Sequence, residues 1–389
     1  MNRMHSALSI AFLYNFAVSM VVLLIPLFVD DLGISPVILG LIVALPSALE
    51  MTLRLPAGRV ADRVGERKIL LGTGAGLALA GPLFSTLNVG LIAVGQPLTG
   101  VARAAYWPSA ISYVTKIPGG RMGRKMGLFH SLVSLGGVMG PLLGGFLIAY
   151  LGYRGAFLAF TVISLSYLIA IWQMPSPPRH PAAEDRPSEP LLSTVRRIAG
   201  SRPVILAFLA GLGASTPLTL NSSFMPVYLR QVGLGDEMVG MLTSLHAVFL
   251  MVGHITFAQV FDLLTRQSAW IIGMAGIGVT VILIPLFSSA LPLAAALGFL
   301  GLVKSPLQIL PGVIMSESTR EDERAMALAV SGMSWGLNLA VTPPLLGAIA
   351  QLVSVEAAFY AAGVPVLLLA FLVRPLFRWS YAETSRRSP

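Results

Sequence analysis

The sequence predicts an all-α membrane protein of twelve transmembrane helices, arranged as two pseudo-symmetric six-helix bundles. Three observations predict it. Charged residues make up 11% of the 389-residue chain and hydrophobic ones 55%. A soluble domain carries about 25% charged residues, so this chain cannot cover a globular surface with polar groups. Apolar stretches of about 20 residues, the length that crosses a bilayer core, recur along the whole chain. One polar, Pro-rich segment, residues 175–203, divides them into six and six.

The apolar segments run near 7–29, 36–61, 67–87, 89–115, 124–150 and 154–174, then 204–229, 237–262, 268–288, 290–316, 324–351 and 356–377. The first begins basic and turns apolar. It exceeds a signal-peptide core and lacks a small-x-small cleavage site, so it is expected to stay as a helix. The second contains Glu50 and Arg54 and ends in GRVADRVGERK. The third holds GTGAG, residues 72–76, which lacks full Gly-x-Gly-x-x-Gly spacing and a preceding strand and reads as a packing face. The fourth carries Arg103 in GQPLTGVARAAYWPSA, and the fifth is glycine-rich. Segment 175–203 reads as a linker with a short amphipathic helix near 190–200. The expected domains are therefore an N-terminal bundle 1–174, the linker, and a C-terminal bundle 204–389.

Lysine and arginine orient the chain. With the N-terminus cytoplasmic, Arg154 and Arg230 alone fall on outer loops, and Arg54, Arg103 and Lys304 fall inside helices. The other 21 lie on the cytoplasmic side. That asymmetry predicts both termini inside. It also accounts for the formal charge of +9 without nucleic acid, because the basic clusters are not interleaved with aromatics. The absence of cysteine excludes disulfides, thiolate metal sites and Cys nucleophiles. The two halves also echo each other. Asp62 recurs as Asp262 in AQVFDLLTRQ, and GPLLGG (140–145) recurs as PPLLGA (343–348). Internal duplication of a six-helix unit is a recurring transporter plan, with the substrate site near the midplane.

Two motifs have a readable physics. In GRVADRVGERK, Gly58 lets another helix approach closely and Gly65 permits a tight turn. Asp62 can accept hydrogen bonds from a neighbouring helix N-terminus, for which EDERAM (321–326) is the candidate. Arg63, Arg67 and Lys68 hold the loop on the cytoplasmic side. In the fifth segment, Gly127, Gly136, Gly140, Pro141, Gly144 and Gly145 form a small-residue face with a helix-bending proline.

On these residues the chain resembles the major facilitator superfamily over essentially its whole length. Gly58, Asp62, Arg63, Gly65, Arg67 and Lys68 match the family's signature after helix 2. The resemblance implies a latch that holds the halves in an outward-facing state. The second copy keeps Asp262 and loses both glycines. The fifth-segment residues resemble the family's antiporter motif, which accompanies export in exchange for protons. The resemblance also implies that helices 1, 4, 7 and 10 line a central cavity, so that Arg103 and Lys304 would face each other across it. One departure stands out: aligned on Gly100, Gln96 occupies the position where many drug–proton antiporters carry an arginine.

Glu50, Arg103 and Lys304 each lie 14 residues from the outer end of their segment, about 21 Å along a helix. Charged groups at such depth face a cavity or a partner and are functional candidates. Glu50 is a candidate proton carrier. The alternative is an ion pair, with Arg54 at i+4 spacing or with Arg103. Arg103 suits substrate binding or ion pairing, and Lys304 either role. The further polar candidates are Asn15, Asn221, His246, His254, Gln308 and Asn338, each of which also reads as a helix–helix hydrogen bond. Tyr106, Trp107 and Trp335 could supply aromatic contacts.

The expectation is a secondary transporter of the cytoplasmic membrane that works by alternating access. It would export a small amphipathic or anionic organic compound in exchange for protons, as a monomer, with no cofactor or metal and no nucleic-acid partner. The alternatives are an importer or uniporter of a sugar or organic acid, and a non-transporting sensor or scaffold. A membrane-embedded enzyme is disfavoured. The five histidines are scattered, no His-Glu-x-x-His spacing occurs, and no Gly-x-x-x-x-Gly-Lys-Ser/Thr loop for ATP is present.

Overall fold

A computed structural model describes residues 3–118, 122–175, 200–260, 264–318 and 321–372. For residues 55, 58, 59, 61–63, 123, 258–260, 316–318, 321–326 and 329 it describes the backbone alone. The linker helix near 190–200 and Asp262 lie outside the described residues. So do the side chains of Asp62, Arg63 and EDERAM through which the proposed latch would act.

Twelve long helices account for most of the chain. They are α1 (Arg3–Asp31), α2 (Pro36–Val64), α3 (Glu66–Ser85) and α4 (Val89–Thr115), followed by one helical run Met122–Trp172. Gly152, with φ 67° and ψ 177°, breaks that run into α5 (122–151) and α6 (153–172). In the second half come α7 (Arg202–Asn221), α8 (Asp236–Val260), α9 (Arg266–Leu283), α10 (Ala290–Ser318), α11 (Glu321–Leu352) and α12 (Val355–Leu372). A short helix, Phe224–Gln231, continues α7 after a break. There Ser222 and Ser223 turn their hydroxyls back onto the Thr219 carbonyl (2.9 and 2.6 Å).

Nine stretches among the described residues are long and apolar enough to cross a membrane. One of them, 124–172, is the broken run and has the length of two spans. α4 and α11, which interleave polar residues such as Gln96, Arg103 and Asn338, are not among the nine. Large apolar side chains stand exposed on the outer faces, among them Leu79, Val162 and Phe371, where lipid would cover them. Tyr150 and Trp172, exposed near opposite ends of α5 and α6, sit where interfacial aromatics anchor a bundle.

The duplication is visible in the backbone. At the end of α1, Gly33 (φ 65°) donates to Asp30 O (2.8 Å) and Ile34 to Val29 O (3.4 Å). After the short helix, Gly233 (φ 89°) donates to Arg230 O (2.8 Å) and Leu234 to Leu229 O (3.2 Å). Both turns need a residue that tolerates positive φ. Gly65 does the same between α2 and α3, with φ 96°.

Within each half the helices pack closely, and the halves meet chiefly through α2 against α11 and α5 against α8. The best-described of these contacts lie toward the end of the bundle that holds residues 32–35 and 232–235, called the distal end below. There a Cβ on Gly240 of α8 would come within 2.5 Å of Pro141 O and 3.0 Å of Gly145 Cα, so the two backbones touch. Ser244 of α8 donates to Val138 O of α5 at 2.8 Å.

Candidate functional site

A cavity of about 250 Å³ lies between α1, α2, α4, α5, α7 and α11. Its wall is mainly apolar, with polar groups from Asn15, Ser19, Ser47, Gln96, Thr99, Arg103 and Ser222. Ligand pockets run from about 300 to 1,000 Å³, so in this state the space suits a compact organic molecule.

Arg103 reaches this wall from α4, and its Nη2 lies 2.8 Å from Glu50 Oε2 on α2. Both side chains are largely buried, at 18% and 15% exposure. Arg54, the other partner open to Glu50, is 4.0 Å away and 53% exposed. Of the two pairings the sequence allows, Glu50 makes its close one with Arg103. Gln96, at the departing position, is buried and donates to Ile42 O at 3.0 Å. Asn15 faces the cavity and donates to Ala11 O at 2.8 Å. Trp107 lines the cavity, whereas Tyr106 is buried and stacks on Tyr14 with ring centroids 3.5 Å apart.

Lys304 lies elsewhere. It is absent from the cavity wall, so it does not face Arg103 across that space as the resemblance implies. Its side chain is tucked between α10 and α11, 3% exposed, with Nζ 5.5 Å from the centre of the Trp335 ring. Nearby, His254 Nε2 and Gln308 Oε1 are 2.6 Å apart, which makes both a helix–helix contact of α8 and α10. His246 is buried, its Nδ1 3.3 Å from Leu297 O and its Nε2 without a partner. Asn338 donates to Leu212 O (2.9 Å) and Ser215 Oγ (2.7 Å) and ties α11 to α7. Asn221 is buried beside the cavity residue Ser222, and its Oδ1 has no partner.

The glycine motif of α5 divides by task. A Cβ at Gly136 would lie 2.6 Å from Phe12 O, and one at Gly140 2.6 Å from Met20 N, so these two residues bring α1 against α5. Ser19 reinforces the contact by donating to Gly136 O at 3.0 Å. Gly145 and the Pro141 carbonyl meet Gly240 of the other half, Gly144 makes ordinary contacts, and a Cβ on Gly127 would meet no atom within 4 Å among the described residues. In the signature after α2, Arg67 bonds the terminal carbonyls of α6, Ile171 O at 3.5 Å and Trp172 O. That gives it a capping role within its own half, and Lys68 is exposed.

Two clusters escaped the sequence reading. Glu66, buried at the start of α3, pairs with Lys116 and accepts from Ser112 Oγ at 2.7 Å. At the distal end Arg230 joins the two halves. It pairs with Asp31 of α1 and, at 2.7 Å, with Asp236 of α8, and its guanidinium lies 5.9 Å from the Tyr153 ring of α6. The signal was present in the matched turns: Asp30-Asp31 in one copy stands where the other has Arg230-Gln231. Among the described residues no three His, Asp or Glu side chains converge as metal ligands.

A family model described as Major Facilitator Superfamily matches residues 7–236 and again 204–389. The quinolone resistance protein NorA of Staphylococcus aureus is 24% identical over 218 residues, 55% of this chain and 56% of that protein. The transcription regulatory protein OpdE of Pseudomonas aeruginosa is 26% identical over 183 residues, 46% of this chain and 45% of that one. The chain thus spans about half the length of these relatives. Among solved structures, a bacterial homologue of the human lysosomal transporter Spinster, inward-facing and unoccupied, aligns with TM-score 0.75 and 17% identity over 97% of both chains.

Proposed function

The chain belongs to the Major Facilitator Superfamily, and from that premise we propose that it exports a small amphipathic or anionic organic compound across the cytoplasmic membrane in exchange for protons. In this reading both termini are cytoplasmic and the distal end faces outward. The observation that carries it is the Glu50–Arg103 pair, whose arginine lines the cavity and holds the glutamate, the candidate proton carrier, behind the space for cargo. The tight α5 packing against α8 supports export, because it seals the boundary between the halves against leakage. The resistance named for the Staphylococcus aureus relative points the same way.

The sign of coupling follows from the pair. A proton on Glu50 removes one charge and leaves Arg103 without its partner. Cargo whose polar group bonds the ionised Glu50 competes with that proton, and competition produces exchange. Cargo whose anion takes Arg103 away from Glu50 favours the proton, and that produces movement in the same direction. Export against proton flow therefore needs cargo that bonds the ionised Glu50 without capturing Arg103. A second reading, uptake of an organic acid together with a proton, rests on Arg103 as the carboxylate receptor.

Proteoliposomes separate these readings. With cargo and an imposed pH gradient, exchange drives cargo against the proton flow and uptake drives it along. Glu50→Gln should abolish the gradient's effect while leaving cargo counterflow. If Glu50→Gln responds to the gradient as the wild type does, the coupling role is wrong. A non-transporting sensor, the class suggested by the name of the Pseudomonas aeruginosa relative, would show binding with no counterflow.

A further inference from the structure

The two halves build one crossing twice. α2 meets α4 at Gly100, where a Cβ would lie 2.7 Å from Pro46 O and 3.0 Å from Leu49 Cβ. α8 meets α10 at Gly301, where a Cβ would lie 2.8 Å from Leu250 N and 3.1 Å from Phe249 Cβ. Leu49 thus corresponds to Phe249 and Gly100 to Gly301. Just beyond each crossing the cation is kept, as Arg103 in one half and Lys304 in the other. The anion is not kept: Glu50 corresponds to Leu250.

Lys304 is therefore the copy of an ion pair that has lost its acid. No acidic side chain among the described residues lies within 4.0 Å of it. The nearest acidic position on α11, Glu323, is 12 residues from Trp335, about 18 Å of helix rise. An ammonium buried in a helical membrane bundle costs about 2.5–3.5 kcal/mol to place there, and such groups normally find a counter-charge. His246 Nε2, a second polar atom of the α8–α10 layer, is also buried and unpartnered. Trp335 overlies the ammonium and is itself partly exposed. One turn along the same face of α11, Leu339 lines the cavity.

We propose that Lys304 is an anion-binding site, taking the carboxylate or sulfonate of an aromatic organic acid whose ring lies against Trp335 next to the cavity. The missing acid of the second half is supplied by the ligand. This deepens the functional reading by naming a substrate class, and on that point it rests on the chain being a transporter. An anion held by Lys304 leaves Arg103 with Glu50 and so avoids the arrangement that moves cargo along with the proton; exchange then requires a polar group of the same cargo to reach the ionised Glu50.

The test uses the purified full-length protein with naphthalene-2-carboxylate as probe and naphthalene-2-carboxamide as its uncharged counterpart, each titrated by tryptophan fluorescence. The wild type should prefer the carboxylate by about tenfold, a charge-assisted hydrogen bond's worth. Lys304→Arg should keep the preference and Lys304→Met should lose it, with carboxamide binding unchanged in both. Leu250→Glu restores the lost acid while leaving the lysine in place, and should also abolish the preference. No preference in the wild type, or one that survives either Lys304→Met or Leu250→Glu, overturns the proposal. Binding is read without transport, so the two readings fail separately. A preference that obeys these variants in a chain without proton-driven transport removes the coupling reading and leaves this site standing.

Discussion

Closure at the distal end rests on backbone contact between α5 and α8, and a single added side chain tests it. Gly240→Val puts a Cβ about 2.5 Å from Pro141 O and 3.0 Å from Gly145 Cα. Ordinary carbon contacts lie at about 3.5–4.0 Å, so the two helices must part by roughly 1 Å. Overpacking of this kind costs about 1–3 kcal/mol. In a distally open state the helices separate at this point and the cost disappears. The closed form should then lose population by about 5- to 150-fold relative to the open one. Because the chain has no cysteine, Ser222→Cys on the cavity wall gives a single reporter. Its labelling by a membrane-impermeant maleimide added from the distal face should quicken by a factor in that range when Gly240→Val is added. An unchanged rate in a folded, correctly inserted double variant would refute the idea that this contact closes the bundle.

Arg230→Gln should act in the same direction and more weakly. Asp31 is 41% exposed, and pairs of that kind contribute about 0.2–1 kcal/mol, so distal labelling should rise by no more than about fivefold. Raising the salt concentration should reproduce part of that effect in the wild type. Asn338→Leu removes the bonds to Leu212 O and Ser215 Oγ. It should lower resistance to denaturant by about 1–3 kcal/mol and leave the KM for cargo unchanged. A changed KM with unaltered stability would make Asn338 a ligand of the cargo instead of a strut.

The helices were legible because their signal is additive. Long apolar runs, ended by Gly33, Asn88 or Gly233, placed most boundaries within a few residues. The break in α7 was hidden, because the apolar pattern continues through Ser222 and Ser223 and only their bonds to Thr219 O interrupt the helix. The site was legible in part. The depth of Glu50 and Arg103 identified both as candidates, but i+4 spacing made Arg54 an equal partner until the α2–α4 crossing at Gly100 brought Arg103 closer. Lys304 was expected on the cavity because the family resemblance implies that helices 4 and 10 line it from opposite sides. Trp335, a residue with no counterpart charge or motif to mark it, covers it instead. The Arg230 cluster draws on four elements from both halves, and no local pattern announces such a meeting.

In the proposed exchange, Glu50 takes up the proton when it lets go of Arg103. Infrared difference spectroscopy of the reconstituted protein, recorded as the pH is lowered through the range in which it transports, measures this directly. The account predicts the carbonyl band of a neutral carboxylic acid that is absent from Glu50→Gln and reduced when exchanged cargo is added. A spectrum in which every such band survives Glu50→Gln would contradict it.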